Sequence, residues 1–148
     1  MMSFSFLALC SLLLSLPLSG QNLLNNRDSC KSRFHVLNLR DCSLKELGWE
    51  YQRLKKLNNP DCDNFNSDLH NIMSVLGDSL GKSGFSKNEV LNIIGIPDSS
   101  DKSDVSNFVK LKDDEDILVY CWRGFHDFLY FVFYDGKVKR SGWWFAYE

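Results

Sequence analysis

The residues with the strongest claim to chemistry are those of Arg123-Gly-Phe-His-Asp127, with His35 and His70 the other two histidines of the chain. A small secreted hydrolase would use His126 as a base oriented by Asp127, with Arg123 holding an anion. The spacing argues against this. Neighbours on an extended backbone point to opposite sides, and a hairpin loop offers no enclosed pocket. His35 and His70 lie in segments with no evident reason to converge on the run, and His70 falls outside the apolar stripe of its own helix, as a solvated side chain would. No catalytic residue is assigned, and the chain is expected not to be an enzyme.

Metal and cofactor chemistry fare no better. The cysteines show no C-x-x-C spacing and the histidines no H-x-x-x-H spacing, so zinc ligation is a poor fit. Asp98, Asp101 and Asp104 recur every third residue, yet the run lacks the glycine and terminal glutamate of a calcium loop and reads as solvated turns. No cofactor is expected. With 17 basic against 19 acidic residues and a net charge of −2, the chain has no electrostatic footprint for nucleic acid.

The amino-terminal residues 1–20 read as a cleaved secretory signal, apolar and then broken by Pro17, although no Lys or Arg stands near the start. Cys10 is not taken as a lipidation site, because Leu9 stands where a small residue belongs. The mature chain is expected to be secreted or periplasmic, with no stable membrane anchor. Four cysteines then remain, and an even count in an exported chain suggests two disulfides. Cys30 with Cys42 and Cys62 with Cys121 is the preferred pairing of three; the alternative for Cys121 is a small apolar side chain in the sheet.

The elements that would position a site are legible as an α+β domain over residues 21–148. Three helices pack on one face of a three- or four-stranded antiparallel sheet, with 21–66 as a helical extension and 67–148 as the core. Ser43 and Glu46 form a capping box for a first helix ending before Asn58-Asn59-Pro60. Leu69, Ile72, Met73, Leu76 and Leu80 mark a second, capped by Ser67 or Asn66. Phe85, Ser86, Glu89 and Val90 combine a capping box with a hydrophobic staple, opening a third over Lys87 to Ile94. Asn107 to Leu111 reads as an added strand.

The last third holds three strands. Asp135-Gly136 is a type I′ turn signal, which pairs Tyr134 with Lys137, Phe133 with Val138, Phe131 with Arg140 and Leu129 with Gly142. A five-residue loop at 123–127 pairs Trp122 with Phe128 and Tyr120 with Tyr130. Ile117, Val119, Cys121, Leu129, Phe131 and Phe133 then share an inner face, on which Arg140 is a misfit that a bulge near Gly142 would correct. The outer face holds Tyr120, Trp122, Phe128, Tyr130 and Trp143, rimmed by Lys137 and Lys139. Tyrosine and tryptophan supply large amphipathic contact area, so these five residues are the expected surface for an unidentified protein partner. Two alternatives stay open: residues 21–57 fold across this face, or Trp122 or Trp143 stacks on carbohydrate.

The run Gly84-Phe-Ser-Lys-Asn-Glu-Val-Leu-Asn-Ile-Ile-Gly-Ile-Pro-Asp98 resembles the helix and turn of the SmpA/OmlA (BamE-like) family, with its G-x-[ST]-x-x-x-V-x-x-x-x-G-x-P-D pattern. The layout of a helix pair before a sheet is also similar to beta-lactamase inhibitory protein. The resemblance spans residues 67–148 and implies a small exported binding module that meets a protein partner with an open sheet face. It departs from the envelope members in lacking a lipidation cysteine and in carrying extra cysteines and an extra helix.

Overall fold

A computed structural model describes residues 39–57, 67–82 and 84–146; residues 1–20, expected to be a secretory signal, and His35, Cys30 and Cys62 lie outside the described residues. A single turn of 3-10 helix at Leu39–Asp41 leads into α1 (Leu44–Leu57), followed by α2 (Ser67–Leu80), α3 (Lys87–Ile94), the short α4 (Lys102–Val105), and the strands β1 (Glu115–Arg123), β2 (Asp127–Tyr134) and β3 (Lys137–Phe145). The sheet is antiparallel in the order β1-β2-β3, so the fold is α+β with helices preceding the sheet.

Both expected capping boxes are made. Glu46 N–H donates to Ser43 Oγ at 3.3 Å while Ser43 N–H donates to the Glu46 carboxylate at 2.9 Å. At α3 the Ser86 N–H reaches Glu89 Oε2 at 2.7 Å, and these bonds from Ser86 hold the Glu89 carboxyl below its usual range. Phe85 packs on the core that buries Val90, completing the staple. The crossing of α1 over α3 requires a glycine, since a Cβ at Gly48 would lie 2.0 Å from the Ile93 carbonyl oxygen. Beside that contact Gln52 Nε2 donates to the Ile94 carbonyl at 3.2 Å, satisfying an acceptor at the end of α3.

The β2–β3 turn forms as expected, with Asp135 at φ 49° and Gly136 at φ 69° and Tyr134 opposite Lys137. Beyond it the register departs from expectation. Phe133 faces Val138, but Val132 faces Arg140, so the extra residue lies at Lys139 and not at Gly142. Phe131 therefore faces Ser141 in place of Arg140, and Leu129 faces Trp143 in place of Gly142. A second irregularity falls between Cys121 and Arg123: Arg123 opposes Asp127, yet Cys121 opposes Phe128, Tyr120 opposes Leu129 and Val119 opposes Tyr130. Each one-residue insertion moves every side chain beyond it to the other face.

One face of the sheet consequently presents Leu118, Tyr120, Trp122, Leu129, Phe131, Phe133, Val138 and Trp143 to the three long helices. Leu47 and Tyr51 of α1, the helix expected in an extension, belong to this same core. Tyr120 sits edge-on to both Tyr51 and Phe131, and its hydroxyl donates to the Gly95 carbonyl at 3.1 Å. Burial pushes that hydroxyl's pKa upward, which keeps it a donor.

The opposite face carries Ile117, Val119, Cys121, Phe128, Tyr130, Val132 and Trp144 and is covered by residues 99–111. Those residues form a strap, with Val105 and Val109 buried, and not the strand expected over Asn107 to Leu111. Asp98 anchors the entry to the strap, and Asp101 and Asp104 brace its first turn. Asp98 N–H donates to Val119 O at 2.8 Å, and the Asp98 carboxylate accepts from Cys121 N–H at 2.7 Å and pairs with Lys55. Asp101 caps α4 by accepting from Ser103 N–H, and Asp104 accepts from Ser99 Oγ at 2.6 Å.

The Lys139 bulge also allows two cations to reach one buried acid. Glu115, 1% exposed, accepts from Lys139 Nζ at 2.6 Å and Lys112 N–H at 3.1 Å, with Arg140 at 3.6 Å. The Lys139 bond foremost pulls its pKa down to about 2. A depressed carboxyl contributes stability that is present above its unfolded-state value and lost as pH falls through the folded one. Urea midpoints measured between pH 5 and pH 2 are therefore expected to fall steeply in the wild type and less in Glu115→Gln, which starts lower at neutral pH. Gly48→Ala is expected to lose about 1–3 kcal/mol from overpacking, despite alanine's better helix propensity. A Gly48→Ala midpoint equal to wild type would contradict the close crossing.

Candidate functional site

The five residues expected on one aromatic face do not share it. Tyr120 and Trp122 are buried beneath the helices together with the half-buried Trp143, whereas Phe128 and Tyr130 point the other way into the strap. The cause is the pair of one-residue bulges. Among the described residues, what covers the Phe128 and Tyr130 side is the strap.

At the end of the sheet where β1 turns into β2, aromatic rings nonetheless collect. Phe125, in the loop between Arg123 and Asp127, is 45% exposed. Trp143 and Phe145 stack with centroids 5.4 Å apart and planes 6° from parallel, and on the strap side Phe108, 39% exposed, lies 5.0 Å from Trp144. Trp143, Trp144 and Phe145 are all half-buried on the last stretch of β3.

His70, expected to be solvated, stands in this cluster. It lies on the first turns of α2 with its ring 4.3 Å from Trp122 and 4.8 Å from Trp143. The Arg123 guanidinium sits over Trp122 at 4.8 Å. Partial burial lowers the His70 pKa, opposed by the charge of Asp127 and reinforced by that of Arg123. Helical spacing missed it because the stripe of α2 describes contacts along the sheet, while His70 reaches rings that only the strand register brings to that end.

Asp127, the expected orienter of His126, is engaged by other groups. Asp127, 1% exposed, accepts from Arg123 and from Ala146 N–H at 3.3 Å, which ties the end of β3 to the β1–β2 loop. His126 is exposed and uses its own main chain in the turn, donating to Arg123 O at 3.2 Å and accepting from Ala146 N–H at 2.8 Å. Among the described residues, no three histidine, cysteine or acidic side chains gather as metal ligands.

Cys121 points into the strap side of the sheet and Cys42 packs against the helix-side core, so the sheet separates these two thiols. The expected partners, Cys30 and Cys62, lie outside the described residues. No described helix is long and apolar enough to cross a membrane. Compared with family models, curated proteins and solved structures, the chain gives no match.

Two outcomes test this site. Tryptophan fluorescence followed against pH is expected to show a step with its midpoint below the ordinary histidine value of about 6.5, because a protonated imidazole quenches an adjacent indole; His70→Gln should abolish it. A group whose pKa is lowered on folding contributes stability above its unfolded value, lost as pH falls. The wild type should therefore weaken between pH 7 and pH 5 more than His70→Gln does. Separately, peptide mapping without reductant is expected to contain no Cys42–Cys121 linked pair.

Proposed function

We propose that this chain is a small exported, non-enzymatic module that recognises another protein through the aromatic end of its sheet. The observation that carries the reading is the concentration of half-buried rings on both sides of the β3 terminus, next to the exposed Phe125 and Phe108. Aromatic side chains of this kind dominate protein recognition because they desolvate a large area at small cost in side-chain entropy. The site thus keeps Trp143 from the expected surface and exchanges the other four residues for Trp144, Phe145, Phe108 and Phe125.

Export is supported by the apolar leader at residues 1–20 and the even cysteine count of the remainder. The resemblance to the SmpA/OmlA family supports the same class. Its Gly95-Ile-Pro-Asp98 stretch has a physical use in this chain: the Asp98 carboxylate and amide fasten the end of α3 to β1. Against catalysis stands the engagement of Asp127 by Arg123 and Ala146.

The reading is tested with the folded protein immobilised and exposed to native extracellular or envelope material. Phe125→Ser combined with Phe108→Ser is expected to weaken capture of a specific protein about thirtyfold, the effect of losing a hot spot of about 2 kcal/mol. Circular dichroism should stay unchanged. Equal capture by the double variant counts against this surface, and selective binding on a glycan array would move the assignment to carbohydrate recognition.

A further inference from the structure

The two halves of β3 differ in how their outer edge is treated. Near the turn the edge is occupied: Val138 N–H donates to Phe85 O at 2.7 Å and Lys87 N–H donates to Gly136 O at 2.9 Å. Lys137 and the bulge at Lys139 add two devices that discourage a further strand. Past the bulge none of these operates among the described residues. The run Ser141-Gly-Trp-Trp-Phe145 has no charge and no proline.

The direction of its main-chain groups follows from one bond. Ala146 N–H donates inward, to His126 O at 2.8 Å. Alternation along an antiparallel ladder then turns Trp144 and Gly142 toward β2 and leaves Ser141, Trp143 and Phe145 with N–H and C=O outward. Among the described residues these outward groups meet no main-chain partner. Unpaired amides at a spacing of two residues, about 6.8 Å, match the backbone of another strand. The flanks suit such a strand as well, with Trp143 and Phe145 on the helix side and Trp144 with Phe108 on the strap side, all partly open.

We propose that the edge from Ser141 to Phe145 accepts an added β-strand: an extended segment of a partner protein, apolar at alternating positions, pairs its main chain with Ser141, Trp143 and Phe145. This rests on the protein-recognition reading above and supplies its binding mode. The main chain gives affinity, and the rings on either side select the apolar side chains. The length of the site is set at one end by Phe85–Lys87 and the bulge. A free segment meets that limit without bringing a second folded body against α2, which is held on β3 by Ser141 Oγ donating to Gly77 O at 3.1 Å.

The test uses phage-displayed twelve-residue peptides selected on the full chain, measured against Phe145→Ala and Phe145→Pro. Both variants lose the same ring, but only proline removes an outward N–H, at an edge position that leaves the β2–β3 ladder intact. Selected peptides should bind Phe145→Pro about tenfold or more weakly than Phe145→Ala, as expected for one lost main-chain bond with its misplaced neighbours. Amide exchange at Ser141, Trp143 and Phe145 of the wild type should slow on adding peptide, a readout that stands even if the proline variant fails to fold. Equal binding by the two variants, unchanged exchange, or no selected peptide overturns the proposal. So does a concentration-dependent dimer that the proline variant abolishes, since the edge then belongs to a second copy. Peptides indifferent to Phe145→Pro but lost on Phe125→Ser with Phe108→Ser would overturn the edge alone and leave the recognition reading standing.

Discussion

A three-stranded sheet buried on both sides must divide its rings between two cores, and here single-residue insertions at Trp122 and Lys139 decide the division. Because side chains alternate with period two, an insertion exchanges the faces of everything beyond it. The Lys139 insertion removes Arg140 from beneath the helices, where a guanidinium would have no water, puts Ser141 in its place and brings Trp143 to the same face. The same insertion swings Lys139 and Arg140 toward Glu115, so one local irregularity resolves an apolar misfit and neutralises a buried acid.

The insertion near Trp122 has the complementary effect on β1. It sends Tyr120 beneath α1 and α3 and sends Val119 and Cys121 toward the strap. With Tyr120 inward, its hydroxyl meets the Gly95 carbonyl, and α3 is fastened to the sheet at the point where Asp98 takes over as anchor of the strap. The acidic run read as solvated turns is exposed, and its carboxylates at Asp98, Asp101 and Asp104 also accept from Cys121 N–H, Ser103 N–H and Ser99 Oγ.

With both faces covered, the parts of the sheet left open among the described residues are its end and its edge. The loop end carries rings because Arg123, Asp127 and Ala146 tie the last residues of β3 to the β1–β2 turn, holding Trp143 to Phe145 in place instead of letting the strand fray. His70 extends that end onto α2, its ring packed against Trp122 and Trp143, and partial burial there lowers its pKa.

Much of the architecture was legible without coordinates. Capping boxes at Ser43 and Ser86, the glycine and proline after Ile94, and the Asp135-Gly136 turn are local signals, written in residues one to four apart, and each produced the element expected of it. The α+β class followed from the change of apolar period between Leu80 and Ile117. The candidate site was not legible, because a bulge is a single extra residue that neither composition nor periodicity marks, and it is chosen by what the two faces can bury together. Whether Trp122 faces a partner or a helix, and whether residues 99–111 add a strand or a strap, depends on contacts between segments distant in the chain, so only tertiary packing decided them.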